Sequence, residues 1–353
     1  MAVIKSLHIE SFTVFSQAAL EFGKHLNVFV GENGTGKSHL LKLAYSMLAV
    51  EAQGRRESNE NTPREKFLQG AIARKLIGVF RPDGLGRLTQ RRGGGCRCSV
   101  HLEGTDPDMD LAFEFNAKSE FEVSVTKVPS RWLDKHPVFL PSRELLTMYP
   151  GFVSLYDTTT LPLEETWRDS CVLLGAPLAR GPREGVIKSL LEPLEQALGG
   201  KIVLESSGGF YLVRTGARTE MHLVAEGLRK LAMVARLIAT GTLVDKGYLF
   251  WDEPDTSLNS RLIKDIAQAI VHVSRCGIQV FVATHSLFLL RELYMLREGL
   301  DTRCFGLHPT AGGSVTVEQG PTIDDIGSIA SLDEELYQSE RYMIHEAAEG
   351  SRS

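Results

Sequence analysis

The 353-residue sequence has no run approaching the ~20 consecutive apolar residues that a membrane helix needs. Met1 to Glu10 shows no basic segment followed by an apolar one, so no secretory leader is expected. Cysteine is scarce and odd in number. Cys96, Cys98, Cys171, Cys276 and Cys304 are scattered, which argues against a disulfide framework and for reduced thiols in a cytoplasm. Cys96 and Cys98 would make only half a zinc site, and no other Cys/His spacing completes it. Internal repeats and sustained heptads are missing, which excludes a solenoid and a long coiled coil. A net charge of −5 excludes a globally basic nucleic-acid binder.

What is present is uneven. Residues 54–98 carry 11 Lys+Arg against 4 Asp+Glu, and residues 318–349 carry 9 Asp+Glu against one Arg. Each run reads either as a solvated face or as a surface for a partner, and the two could also pair with each other. Arg87, Arg91, Arg92 and Arg97 lie in or beside a Gly-rich stretch, read as a mobile loop, where they could follow a phosphate backbone. Ile326, Ile329 and Leu332–Leu336 among the tail acids predict one or two amphipathic helices.

Apolar runs predict buried strands at Leu26–Val30, Pro137–Pro141, Tyr248–Trp251 and Gln279–Ala283, the last two being central and parallel. Helices are expected from Lys37 to Gln53, over Glu65–Phe80, from Gly185 to Leu198, over Val224–Gly241 and over about Ser257–Arg275. Residues 54–64 read as a loop, residues 98–128 as antiparallel strands, and residues 201–214 as a hairpin.

The strongest signal is Gly31-Glu32-Asn33-Gly34-Thr35-Gly36-Lys37-Ser38, between a predicted strand and a predicted helix. Glycines let successive backbone N–H groups turn inward around phosphate oxygens, and the helix start adds its positive end. Lys37 can reach the β- and γ-phosphates of ATP, and Ser38 can ligate Mg²⁺. A second signal is Asp252-Glu253 after an apolar strand: one carboxylate suits Mg²⁺ and the next can polarise water. A third strand ends at Thr284-His285-Ser286, where His285 suits a γ-phosphate sensor.

These residues resemble the ATP-binding-cassette ATPases, in the non-transporter branch with RecF, the SMC proteins and the OLD-type ATPases. Ile4–Phe12 and Leu26–Ser38 look like that branch's N-terminal strands and Walker A. Asp252–Asn259 resembles Walker B running into the D-loop, and His285 matches the switch histidine. Val224-Ala225-Glu226-Gly227-Leu228-Arg229-Lys230 stands where the signature motif would, with Ala225 in place of the usual serine. Glu226 and Gly227 would then close a second copy's ATP in trans through backbone donors. Pro137–Leu145 looks like the stand-in for the Q-loop in compact defence ATPases of the Septu- and retron-linked type, which would bring Arg143 or Glu144 near the nucleotide.

The resemblance implies an α/β P-loop NTPase with a mixed sheet flanked by helices and an inserted α+β lobe. It divides the chain into a first core segment (1–53, Walker A), an insertion (54–219), a second core segment (220–317) and an acidic tail (318–353). The 68 residues after His285 are short for an OLD-type nuclease domain. The expectation is an ATP-hydrolysing switch, closing around ATP and Mg²⁺ as a homodimer or higher homo-oligomer, that controls a separately encoded toxin or nuclease in prokaryotic antiviral defence. The alternative is a RecF-like DNA-binding ATPase, and a third is a nucleotide-gated scaffold that hardly turns ATP over. No membrane partner is expected; nucleic acid is possible.

Overall fold

The computed structural model describes residues 3–58, 62–90, 97–179, 184–245 and 247–350. Arg91, Arg92 and Cys96 lie outside the described residues.

Two sheets share the N-terminal half of the chain. Strands β1 (Ile4–Phe12) and β2 (Phe15–Glu21) form a hairpin, and β3 (Leu26–Gly31) enters the second sheet. Helix α1 (Lys37–Glu57) and helix α2 (Glu65–Phe80) follow. Strands β4 (Arg97–Gly104), β5 (Leu111–Asn116) and β6 (Ser124–Lys127) then extend the first sheet in the order β2-β1-β4-β5-β6, antiparallel throughout.

Strand β7 (Pro137–Leu140) returns to the second sheet. Helices α3 (Tyr149–Thr158), α4 (Glu165–Leu174) and α5 (Glu184–Leu198) precede a small antiparallel sheet of β8 (Lys201–Leu204), β9 (Phe210–Arg214) and β10 (Ala217–Glu220). Then come α6 (Glu226–Ala239), α7 (Thr242–Asp245), β11 (Tyr248–Asp252), α8 (Ser260–Arg275), β12 (Gln279–Thr284) and α9 (Leu287–Leu296). Strands β13 (Thr302–Pro309) and β14 (Val315–Gly320) and helix α10 (Ala330–Gly350) complete the described chain.

The second sheet has the order β14-β13-β3-β12-β11-β7, parallel except for the β13–β14 pair. Its central strands are apolar on both faces because both faces are covered. Phe29, Phe139, Phe250, Phe281 and Phe305 face α1, α2 and the first sheet, with Phe250 stacked on Phe281. Val28, Val30, Val138, Leu140, Leu249, Trp251, Val280 and Val282 face the helices α3 to α6, α8 and α9. The alternation is the period of two that strands impose. Between the sheets, side-chain amides substitute for backbone. Gln279 accepts from Ile4 N at 3.0 Å and donates to Ile4 O and Gly23 O, both at 2.8 Å.

The parallel strands and the principal helices match expectation, with four corrections. Helix α1 runs through Gly54 to Glu57 instead of stopping at Gln53. Gly54 admits the Trp132 ring, which a Cβ there would meet at 2.1 Å. Helix α6 begins at Glu226 rather than Val224. Helix α8 begins at Ser260 rather than Ser257, capped by the Asn259 side chain, which accepts from Leu262 N at 3.0 Å. The stretch read as a mobile loop is anchored in its described part: Leu85 and Leu88 are buried, Thr13 N donates to Leu88 O and Gln90 N to Ser11 O. The tail forms a short 3-10 turn at Ile323–Ile326 and then α10. Ile326 and Ile329 are buried against the helical side of the core, while Tyr337, Tyr342, Met343 and Ile344 on α10 are exposed.

Candidate nucleotide site

The carboxyl ends of β3, β11 and β12 lie side by side, because the three strands are adjacent and parallel. That edge gathers the three predicted motifs at one place. Gly34 and Gly36 adopt φ of 83° and 88°, the left-handed region that turns the loop back on itself. At its two ends the loop has no room for larger residues: a Cβ on Gly36 would lie 2.7 Å from Val14 and 2.8 Å from Phe15, and one on Gly31 would lie 2.8 Å from Thr35 Oγ1. Lys37 Nζ donates to Gly31 O at 2.8 Å and Glu32 O at 3.0 Å, so its ammonium arches over the loop. Burial pulls the Lys37 pKa down, opposed by the negative charges of Glu253, Asp252, Asp255 and Glu32. Thr35 Oγ1 closes the loop onto Glu32 O at 2.8 Å. Asn33 and Gly34 are exposed.

Ser38 Oγ donates to Asp252 Oδ1 at 2.9 Å. Burial raises the Asp252 pKa to about 6, against the lowering effect of the Ser38 hydrogen bond. A hydroxyl and a carboxylate converging at the end of a P-loop form an all-oxygen donor set, which fits a hard divalent cation such as Mg²⁺.

Glu253 follows in a strained turn. Its φ is 46°, its N–H donates to Ala283 O at 2.9 Å, and its Oε1 lies 3.2 Å from His285 Nδ1. Glu253 is 25% exposed and His285 42%, so both side chains face open space. A left-handed backbone at a non-glycine residue is sparsely populated and marks an over-determined position. The turn beyond it is tied to both neighbours. Asp255 accepts from Thr284 Oγ1 at 2.7 Å, and Lys230 Nζ on α6 donates to Thr256 O at 2.5 Å. Gly227 packs so closely on this turn that a Cβ would lie 3.0 Å from Ser257 O. Ala225 is the N-cap of α6 with no side-chain hydrogen bond, and Glu226 is exposed beside it.

Sequence reasoning gave no role to Asp255, Thr284 and Lys230, which hold the turn, although all three sit in the motif stretches. Lys230 closes the signature-like stretch, and its burial marks it as a holding residue. Arg143 and Glu144, expected near the nucleotide, follow β7, which pairs in parallel with β11, and both have protein partners. Glu144 is buried on Arg229, whose Nε lies 3.0 Å from Glu144 Oε1, and accepts from Thr147 Oγ1 at 2.7 Å; Arg143 lies over Trp167. Of the basic-loop residues, Arg97 pairs with Glu114 and Arg87 lies 4.0 Å from Asp83.

The chain has the P-loop NTPase fold of the SMC head. The chain is similar to the Pyrococcus furiosus Smc head domain with an extended coiled coil bound to the C-terminal domain of ScpA. That likeness has a TM-score of 0.53 and 13% identity over 97% of this chain and 100% of the other. An SmcHead bound to the C-winged helix domain of ScpA gives 0.57 and 13% over 91% and 98%. Residues 111–291, just over half the chain, match the family described as "AAA domain, putative AbiEii toxin, Type IV TA system", and the chain belongs to that family. Residues 6–61 match a second AAA domain family. A 58-residue stretch is 34% identical to the DNA replication and repair protein RecF of Shouchella clausii. That match spans 16% of this chain and 16% of the length of RecF.

Proposed function

We propose that the protein is an ATP-binding and ATP-hydrolysing switch. The observation that carries this is the convergence of Lys37, Ser38, Asp252, Glu253 and His285 at one sheet edge, although 214 residues separate Ser38 from its partner Asp252. In this reading the loop of Gly31, Glu32, Asn33, Gly34, Thr35 and Gly36 cradles phosphate oxygens, and Lys37 leaves its two carbonyls to neutralise the β- and γ-phosphates. Ser38 and Asp252 would hold Mg²⁺, which supplies charge neutralisation at the phosphates. Glu253 orients the attacking water and takes its proton as ADP and phosphate form. His285 would use one ring nitrogen, Nδ1, toward Glu253 and the other toward a γ-phosphate oxygen.

Residues 1–53 and 220–317 are proposed as the two segments of the core, 54–219 as the insertion and 318–353 as the tail. Glu226 and Gly227 are proposed to meet the ATP of a second copy. Support for an effector-controlling role in defence comes from membership of a family described by a toxin of a toxin–antitoxin system. The RecF-like reading, an ATPase acting on DNA, draws on the 58-residue match. Among the described residues no helix is long and apolar enough to cross a membrane.

The test is Glu253→Gln, which keeps the side chain's shape and removes its basicity. ATP binding should persist, turnover should fall about 10²–10⁴-fold, and light scattering should show an ATP-dependent dimer. Wild-type turnover in this variant would place the base elsewhere. Pull-down from the native host with and without non-hydrolysable ATP would separate a protein effector from DNA.

A further inference from the structure

One charged pair beside this edge belongs to no motif. Lys42 lies four residues after Ser38 on α1, hence on the same helix face. Its side chain is 13% exposed, and its ammonium sits 2.5 Å from Glu164 Oε1, at the N-cap of α4. The other Glu164 oxygen accepts from Thr166 Oγ1 at 3.1 Å, and the Thr166 side chain is buried. The field at Asp252 includes the positive charge of Lys42 and the negative charge of Glu164. An ammonium within reach of this field competes with any divalent cation for the same carboxylate.

We propose that Glu164 is a positioning residue: it draws Lys42 away from Asp252, leaving the Ser38 hydroxyl and the Asp252 carboxylate free for the divalent cation that accompanies ATP. This rests on the nucleotide-site reading above. Glu164 holds its place because α4 is clamped along its length. Glu165 and Asp169 accept from the buried Lys75 of α2 at 2.7 and 2.6 Å, and Tyr45 of α1 donates to Asp169 at 2.6 Å. Ser170 donates to Phe139 O in β7. At its far end, Arg236 of α6 donates to Leu174 O at 3.0 Å and to Ala176 O at 2.8 Å. The helix that begins at Glu226 and Gly227 is therefore joined through α4 to the Lys42–Glu164 pair.

The test measures the Mg²⁺ concentration at half-maximal binding of a fluorescent ATP analogue to the full chain. Glu164→Gln should raise that midpoint on the order of tenfold and leave Mg²⁺-free nucleotide binding unchanged. Lys42→Met should not raise it. The double variant Lys42→Met/Glu164→Gln should return to within about twofold of Lys42→Met, because Glu164 acts through Lys42. If Glu164→Gln does not fold, Glu164→Asp retracts the carboxylate by one methylene and should move the midpoint in the same direction. A wild type that binds ATP with a midpoint unmoved by Glu164→Gln or Glu164→Asp overturns the proposal alone. A double variant that keeps the full defect also overturns it, since Glu164 would then act on the cation directly. A wild type that binds no ATP overturns the nucleotide-site reading and this proposal with it.

Discussion

Replacing Glu51 with methionine is expected to stabilise the protein. Glu51 lies on α1 with no exposed surface, and neither of its carboxyl oxygens has a hydrogen-bond partner. A buried polar group without a partner costs about 1–3 kcal/mol. Methionine keeps the unbranched length and removes the polar atoms, so the gain should be of that order. For a chain of 353 residues this corresponds to a rise in Tm of about 1–4 °C. The pH dependence has a definite sign. Burial, and then the negative charge of Asp110, push the Glu51 pKa well above its ordinary 4.5. Glu51 therefore takes up protons more readily folded than unfolded. Its contribution is fully present below about pH 4.5 and is lost as pH rises through the folded value, by at most about 1.4 kcal/mol per pH unit. The methionine variant has no such loss. Its advantage over wild type should be smallest near pH 4.5 and widen toward neutrality, as read by urea denaturation across that range. A variant less stable than wild type, or an advantage constant from pH 5 to 8, would refute the reasoning.

Gly36→Ala should cost about 2–5 kcal/mol, combining a left-handed backbone with a Cβ driven into Val14 and Phe15, and should abolish ATP binding; urea melts and nucleotide titration check both. His285→Ala should slow phosphate release about 10²-fold while changing ATP affinity less than about threefold, since its half-exposed ring holds no core together. Collapse of ADP and ATP affinity alike would make it a structural residue.

The site was legible where its chemistry is contiguous. Gly31–Ser38, Asp252-Glu253 and His285 each follow a short apolar run, and an apolar run bounded by a turn reads as a buried strand without knowledge of its neighbours. What joins distant segments was not legible. Lys42 and Glu164 are 122 residues apart, and each alone resembles a solvated charge. The end of α1 was misplaced because Gly54 and the polar residues after it look like a loop. Only the Trp132 ring against Gly54 explains a helix there, and that contact is tertiary. The stretch from Arg81 reads as mobile from its glycines and arginines. Yet Leu85 and Leu88 are buried, and the backbone bonds to Ser11 and Thr13 that seat the described part belong to the β1–β2 hairpin. Strands β13 and β14 escaped notice because β13 carries Gly306 and polar residues among its apolar ones. Gly306 is needed there, since a Cβ would meet Ile326 O at 2.1 Å.

The central claim is that ATP binds over Lys37 at the common edge of β3, β11 and β12. The most direct measurement is calorimetric titration of the purified full chain and of Lys37→Ala with ATP and Mg²⁺. The account predicts saturable binding at one site per chain in the wild type and a loss of about 100-fold or more in the variant, which lacks the cation facing the β- and γ-phosphates. Equal affinity in the two proteins would contradict it.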